Sequence, residues 1–245
     1  MEQNYQMRVA SLSTSSTLSA VGVLTLSGPN VILAALTRSP WVFFFVSLIG
    51  FGLWLAGMYN TSTAFKGAND NVAAHYKKLF NTYLSLLIVA AIVWVISRII
   101  ISSSTDPEHI FDLDRHKASY VIMQLLVVAF YVYAIVCISI GISESRALKA
   151  AGLRSMGHVF VAFILILIVV VIMTIVSFVF ISNADKMAVS FIRSNADSIL
   201  GGLTVIYVLC VLAALVAVVF MNIGWWSVRS ELPKVLGETS DKAEL

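Results

Sequence analysis

Five long apolar segments limit what this chain can fold into. Each has 19 to 23 residues, and a helix of ~20 apolar residues crosses the ~30 Å hydrocarbon core of a bilayer. Only helices and closed barrels span lipid, and these segments lack the two-residue alternation of barrel strands. They predict an all-α polytopic integral membrane helical bundle, with spans at residues 41–59, 80–101, 120–142, 159–181 and 199–221.

The amino-acid composition agrees with a lipid-embedded chain. Hydrophobic residues make up 59% of the 245 positions and charged residues 12%, whereas soluble domains carry about 25% charged residues. A water-soluble fold could not bury that much apolar surface, because over half of any protein exterior is already apolar. The net charge is +3 and the basic residues are dispersed. A nucleic-acid partner, which needs a concentrated basic face, is therefore not expected.

A sixth segment, residues 17–37, is long enough to cross a membrane but is interrupted at its middle. Gly28, Pro29 and Asn30 stand there in an otherwise uncharged apolar run. Proline removes a backbone donor and disfavours helix in the residue before it, so we predict that the first crossing is broken at these three residues. Two half-helices fit the pattern, with Pro29 opening the second. The fold prediction is thus six transmembrane helices.

Lys and Arg concentrate on one side of the predicted bundle. The connections 65–79 and 143–158 and the residues after Trp226 carry nine of them, and the opposite connections carry five. If residues 17–37 cross, Arg8 and Arg38 fall on opposite sides and the count becomes ten against six; otherwise it becomes nine against seven. Basic residues remain cytoplasmic, so we predict six crossings with both termini in the cytoplasm.

This topology divides the chain into three parts. Residues 1–16 form a cytoplasmic N-terminal segment, residues 17–226 a single transmembrane helical bundle, and residues 227–245 a polar cytoplasmic tail that we expect to be disordered. The small residues Gly52 and Ala56, and likewise Ala213 and Ala217, are four apart, which allows close helix contact and favours packing or oligomerisation.

Ionisable residues are almost absent from the predicted spans. No Asp, Glu, Lys or His lies inside any of them, and the only Arg is Arg98, near the end of its span. Ion-coupled transporters, proton relays and voltage sensors need ionisable groups in the bilayer core, so these classes are disfavoured. The four histidines lie in connections or at span ends, whereas haem ligands face one another between helices. We therefore predict no cofactor.

Polar side chains follow one face of two predicted spans. Tyr120, Gln124 and Tyr131 lie within about 40° of one another on a helical projection, and Thr204, Tyr207 and Asn222 form a similar stripe on the last span. Polar groups in a span tend to face the bundle interior. Two interpretations remain open, namely hydrogen bonding between helices and an intramembrane pocket for a lipid or small amphiphile. These six residues are the candidate ligand-binding face.

One connection, residues 102–118, is dense in acids and histidines. Carboxylate and imidazole groups suit divalent cations, but their spacing here matches no metal motif, and Arg115 and Lys117 offset the charge. A solvated loop is the favoured interpretation, and no metal site is predicted. The candidate loop cluster consists of Asp106, His109, Asp112, Asp114 and His116.

Catalytic patterns such as G-x-S-x-G, H-E-x-x-H and the P-loop are absent from the sequence. The sequence therefore favours a non-catalytic multi-pass membrane protein that acts by binding. It would be a subunit or scaffold of a membrane complex, or a small receptor or facilitator for an apolar ligand. Membrane lipids, other membrane subunits and a second copy of the chain are the expected partners. The alternatives are an interfacial lipid-modifying enzyme that uses the loop 102–118, and a channel or uncoupled facilitator.

Overall fold

The computed structural model describes the backbone of residues 2–37, 40–104, 113–182 and 189–243, and the side chains of residues 5–26, 42, 45–100, 121–179 and 204–237. This described backbone is helical except at two short turns. The predicted all-α membrane bundle of six helices is confirmed. The helices are α1 (Glu2–Thr37), α2 (Pro40–Phe65), α3 (Asp70–Ser104), α4 (Leu113–Ala150), α5 (Met156–Ser182) and α6 (Val189–Ala243).

Five segments of the described residues are long and apolar enough to cross a membrane. The predicted span 41–59 lies in α2, where the side chains of residues 41, 43 and 44 are outside the described part. The chain is thus a multi-pass integral membrane protein. The five segments are Tyr5–Leu26, Asp70–Ile100, Val121–Ala150, Met156–Val179 and Thr204–Gly237.

The predicted break in the first crossing is wrong, because α1 is one helix that continues through Gly28, Pro29 and Asn30. A proline inside a helix removes a single backbone hydrogen bond. In a membrane, neighbouring helices and small local adjustments satisfy the carbonyl that is freed. The chain holds a second proline, Pro233, inside α6 in the same way.

The helices continue well past the hydrocarbon core. The 35 residues of α3 measure about 52 Å at 1.5 Å per residue, against ~30 Å of hydrocarbon. Two predicted connections therefore shrink to short turns at residues 66–69 and 151–155. Polar residues that the sequence analysis assigned to loops instead lie on the first turns of α3 and the last turns of α4.

The turn between α4 and α5 has a well-defined cap. Gly152 has a φ of 108°, a left-handed conformation that favours glycine. Its N–H donates to the Lys149 carbonyl at 3.2 Å, and the Leu153 N–H donates to the Leu148 carbonyl at 3.1 Å. These two bonds define a Schellman motif, which a contact between its two apolar residues usually accompanies. Leu148 and Leu153 are both fully buried.

The chain divides into two compact units. Unit 1 comprises Met1–Leu84, Ser139–Ile164 and Val216–Leu245, and unit 2 comprises Ser85–Ile138 and Leu165–Leu215. In the described part of unit 2, Arg98 is the only charged side chain, and its guanidinium lies 5.6 Å from the centre of the Trp94 ring. The predicted boundaries at residues 16 and 226 separate cytoplasmic segments from the membrane-embedded bundle, and they stay a prediction.

The segment that we expected to be disordered is instead helical through Ala243. Its apolar side chains recur every three or four residues, so one face of the helix can pack. That face belongs to the core of unit 1, where Val228, Leu232, Val235 and Leu236 are buried. The prediction of disorder was wrong because it rested on the mean polarity of the segment, whereas the spacing of the apolar residues indicates an amphipathic helix.

Helices α1 and α2 approach closely at glycines. A Cβ atom at Gly22 would lie 2.5 Å from the backbone nitrogen of Trp54 and 2.6 Å from the carbonyl oxygen of Gly50. A Cβ atom at Gly57 would lie 2.5 Å from the carbonyl oxygen of Ser15. The two backbones thus approach too closely at Gly22 and Gly57 for a Cβ atom, whereas nothing lies within 4 Å of a Cβ atom at Gly52. Gly52 therefore makes no close helix contact within the described residues, and its expected role in oligomerisation stays a prediction.

Candidate functional site

A buried carboxylate joins α3 to α4 in unit 1. Glu144 on α4 is 3% exposed, and its Oε2 lies 2.5 Å from the Nδ1 atom of His75. Its Oε1 atom contacts the ammonium group of Lys78. His75 and Lys78 are three apart on α3 and therefore share a face. Both partners stabilise the ionised carboxylate against the cost of burial, so the three side chains form an ionic lock between two helices.

A second carboxylate closes the start of α5. The backbone N–H of Ser155 donates to Glu231 Oε2 at 3.0 Å, and the Ser155 hydroxyl donates to Oε1 at 2.8 Å. Ser155 stands directly before Met156, the first residue of α5. A negative charge is favourable at this helix end, because the helix dipole places partial positive charge there. Glu231 thereby ties the last part of α6 to the start of α5.

An aromatic cluster fills the interior of unit 1. The ring of Trp225, 2% exposed, lies 5.9 Å from that of Trp54 and 6.4 Å from that of Tyr76, measured between ring centres. Tyr83 lies 4.9 Å from Trp54 and stacks on Phe163 at 5.6 Å. The cluster joins α2, α3, α5 and α6, and pairs at these distances stabilise a core beyond their area alone.

Three buried polar atoms in and beside this cluster have no hydrogen-bond partner among the described residues. They are Trp54 Nε1, Tyr76 Oη and Ser145 Oγ. Buried polar groups in proteins are nearly always partnered, and ordered water completes such sites in many structures. Each of these three atoms can donate a hydrogen bond inside an otherwise apolar core.

Cationic side chains dominate the outside of unit 1. Nine are described there against three carboxylates, and each carboxylate already accepts a hydrogen bond, since Asp70 accepts from the Gly67 N–H at 2.9 Å. The guanidinium of Arg229 lies over the exposed ring of Trp226 at 4.7 Å, a pairing typical of membrane interfaces. The nine cations are Arg8, Lys66, Lys77, Lys78, Arg146, Lys149, Arg154, Arg229 and Lys234.

The predicted polar face on α4 is described in part. The side chains of Gln124 and Tyr131 are half-buried in unit 2, and the Tyr131 ring lies 6.1 Å from that of Phe130. The side chain of Tyr120 lies outside the described residues. Elsewhere in unit 2, the hydroxyl of Tyr133, which the sequence analysis did not select, donates to Ser85 Oγ at 2.7 Å and so links α4 to α3.

The predicted stripe on α6 falls into two different environments. Thr204 and Tyr207 are exposed in unit 2, Tyr207 by 64%. Asn222 belongs to unit 1, and its amide donates to the Val218 carbonyl of its own helix at 2.9 Å. The intramembrane pocket that these six residues were expected to line stays a prediction.

The candidate loop cluster lies outside the described residues. Asp106, His109 and Asp112 precede α4, and the side chains of Asp114 and His116 at its start are not described. Within the described part of the chain, no group of three or more His, Cys, Asp or Glu side chains could hold a metal ion.

The ionic lock was not predicted, because all three of its residues fall in connections between the predicted spans. A local signal was present, since Val72, Tyr76 and Leu79 repeat at helical spacing and are all buried. That spacing predicts a helix that starts well before residue 80. Glu144, however, is 69 positions from His75, and no local pattern indicates such a pairing.

Comparison with known proteins places no constraint on function. No protein-family model matches the chain, and searches of curated proteins and of solved structures gave no match.

Proposed function

We propose that this multi-pass membrane protein acts without catalysis, as a subunit or scaffold of a membrane complex. The observation that carries the proposal is the exposure of α6 in unit 2. Residues 204–209 are exposed at six consecutive positions, which is more than one full turn of 3.6 residues. A helix that packs on one side against its own chain exposes only the opposite face.

The other helices of unit 2 show that one-sided pattern. On α5 the exposed apolar residues Ile168, Val171, Ile175 and Phe178 recur every three or four positions, which describes a single lipid-facing stripe. On α6, by contrast, Val205, Ile206, Tyr207, Val208 and Leu209 are all exposed. A helix with this exposure has a second face available to another transmembrane helix.

A polar group on this stretch favours a protein partner over lipid. Tyr207 is 64% exposed within the predicted span 199–221, and a hydroxyl in hydrocarbon is costly without a hydrogen bond. Interhelical hydrogen bonds contribute roughly 0.6 to 2 kcal/mol each in membranes. The carboxylates of Glu144 and Glu231, meanwhile, already bond to neighbouring helices, which supports a structural role for both.

A tryptophan at Leu209 is expected to disrupt the partner contact. Leu209 is 60% exposed on α6, and Ile175, 58% exposed on α5, offers a matched lipid-facing control.

Wild type purified in mild detergent should carry a stoichiometric partner, either another membrane protein or a second copy. Leu209→Trp should weaken that association by at least about tenfold, equivalent to ~1.4 kcal/mol, whereas Ile175→Trp should leave it unchanged. Light scattering and mass spectrometry of the purified particle measure both effects. A wild-type monomer that retains only lipid contradicts the proposal.

We also propose that both termini face the cytoplasm. In unit 1, a Cβ atom at Gly237 would lie 3.4 Å from the Tyr5 hydroxyl, and one at Gly67 would lie 4.0 Å from the Arg8 guanidinium. The start of α1, the turn 66–69 and the last part of α6 therefore share one end of this unit. That end carries most of the described Lys and Arg residues, which supports a cytoplasmic position.

Cysteine labelling tests this orientation. With cysteine at Gln3 or Ser240, a membrane-impermeant thiol reagent should label neither variant in intact cells and both after permeabilisation. The native Cys137 and Cys210 are buried, so the unsubstituted chain is the background control. Labelling of the two positions from opposite sides of the membrane would exclude six crossings.

A further inference from the structure

We propose that unit 1 binds the phosphate of an anionic phospholipid in a cradle formed by Lys149, Arg154 and His158 around Gly157. The site goes beyond the subunit role, and it rests on the chain being embedded in a membrane and on the proposed cytoplasmic position of this end of unit 1. Its floor is the first turn of α5, and its walls are the last turn of α4 and the turn between them.

The absence of a side chain at Gly157 lets Lys149 lie across the start of α5. The Cδ, Cε and Nζ atoms of Lys149 each lie 3.5 Å from the position that a Cβ atom at Gly157 would occupy. The Gly157 N–H donates to the Arg154 carbonyl at 2.9 Å, so Arg154 is one turn away, and His158 follows directly. The exposed side chains of Lys149, Arg154 and His158 thus belong to residues that converge on the start of α5.

Neither permanent cation of this cradle belongs to an ion pair of the described residues. Among the described residues, the ion pairs are those of His75 and Lys78 with Glu144, so Lys149 and Arg154 take part in none. Glu231 is the carboxylate of this region, and it accepts hydrogen bonds from the backbone and hydroxyl of Ser155. Since Glu231 covers the helix end, the site depends on the side-chain charges. Lys and Arg are the groups that phosphate oxygens bind most strongly.

The neighbouring apolar surface points to a lipid as the source of the phosphate. The His158 ring stacks on Phe220 with 6.0 Å between ring centres and 24° between planes. Phe220 belongs to the predicted span 199–221, so the cradle lies where the chain leaves the hydrocarbon. At this level a phospholipid presents its phosphate to the cations and its acyl chains to the apolar span. Anionic lipids of the cytoplasmic leaflet are attracted to such positions. A soluble acidic peptide would leave the apolar surface beside the cradle without a partner.

Lipid binding by charge-neutralised variants tests the site. The probe is a short-chain phosphatidylglycerol added to the full-length protein in mild detergent, with short-chain phosphatidylcholine as the neutral comparison and native mass spectrometry as the measurement. Wild type should bind the anionic lipid at least about tenfold more tightly than the neutral one. The double variant K149Q/R154Q should bind it about 30-fold more weakly than wild type, as expected for the loss of two cations at a membrane surface.

The matched control removes two exposed cations elsewhere in unit 1. K66Q/K77Q changes the net charge equally and should alter the affinity by no more than about twofold. Equal weakening in both double variants would show a diffuse surface potential and overturn the cradle, as would equal wild-type affinity for the two lipids.

Two competitors distinguish other ligands from a lipid. If inorganic phosphate at the same concentration as the lipid displaces it, free phosphate is the ligand and the proposal of a lipid ligand is wrong. If a poly-glutamate peptide binds more tightly than the lipid, the site binds an acidic protein and the proposal of a lipid ligand is likewise wrong. Thermal unfolding midpoints equal to that of wild type confirm that both double variants are folded. None of these results depends on Leu209, so the subunit proposal is tested separately.

Discussion

Replacing Gly57 with valine is expected to separate α1 from α2 and to destabilise unit 1 strongly. The new Cβ atom would lie 2.5 Å from the Ser15 carbonyl oxygen and 2.6 Å from the Ser19 nitrogen. Both are backbone atoms inside a helix, so they cannot rotate away as a side chain can. Overpacking of a core costs about 1 to 3 kcal/mol and more where nothing can yield. We expect a fall of about 10 °C in the unfolding midpoint in detergent, or loss of the folded particle.

Gly52→Val is the matched control on the same helix. No atom lies within 4 Å of a Cβ atom at Gly52, and the intrinsic helix propensities of the two substitutions are the same. The unfolding midpoint of Gly52→Val should stay within a few degrees of that of wild type. The measurement is the temperature at which half of the detergent-solubilised protein is no longer monodisperse. If Gly57→Val and Gly52→Val behave alike, the close contact between α1 and α2 does not hold the unit together.

The positions of the membrane-spanning parts of α3 to α6 were predictable, but the faces that the helices bury were not. A bilayer of fixed thickness sets the length of each apolar segment, so counting residues located α3 to α6. The same uniform hydrophobicity removes directional information, because an all-apolar helix has no polar side to compare. For this reason Gly52 and Gly57 look equivalent in the sequence, although only Gly57 contacts α1.

The ends of the helices were mispredicted for a different reason. Polar residues near a span were taken to end the helix, whereas the early part of α3 and the late part of α6 are amphipathic and pack in unit 1. Val72, Tyr76 and Leu79 on α3, and Leu232 and Leu236 on α6, are buried at helical spacing. Periodicity was therefore a better guide to these ends than mean polarity.

The polar contacts of the site were beyond prediction from one sequence. His75 and Glu144 belong to different helices, and so do Ser155 and Glu231, 76 positions apart. Partners so distant are brought together only by the packing of the bundle. The residues that did attract notice, such as Tyr207, stand out because they are polar within an apolar run, which is a local property.

Removing both partners of Glu144 together is expected to be the second strongly destabilising change. In His75→Ala/Lys78→Met the carboxylate stays buried with neither of its two partners. Breaking a buried ion pair from one side costs roughly 3 to 5 kcal/mol, because an uncompensated charge remains. Lys78 is itself 59% exposed, so the loss comes from the stranded Glu144 rather than from Lys78. The unfolding midpoint in detergent should therefore fall by about 10 °C.

Adding Glu144→Leu to the double variant should restore most of the lost stability. A buried ionic cluster can often be replaced by apolar side chains at little or no cost, so the triple variant removes the stranded charge instead of leaving it. Lys77→Met is the control for a lost surface cation, since Lys77 is exposed, and should leave the midpoint unchanged. A triple variant as unstable as the double variant would mean that His75 and Lys78 stabilise the unit by other contacts.

The same triple variant separates a structural role for Glu144 from a functional one. If the ionic lock only holds α3 against α4, the restored protein should also retain its co-purifying partner, because the partner contact is proposed on α6 in unit 2. If stability returns and the partner is lost, Glu144 acts in binding as well as in folding, and the exposed stretch 204–209 is not sufficient. Rescue of stability is thus the measurement that makes the binding result interpretable, since a variant that merely unfolds would lose every partner for the same reason.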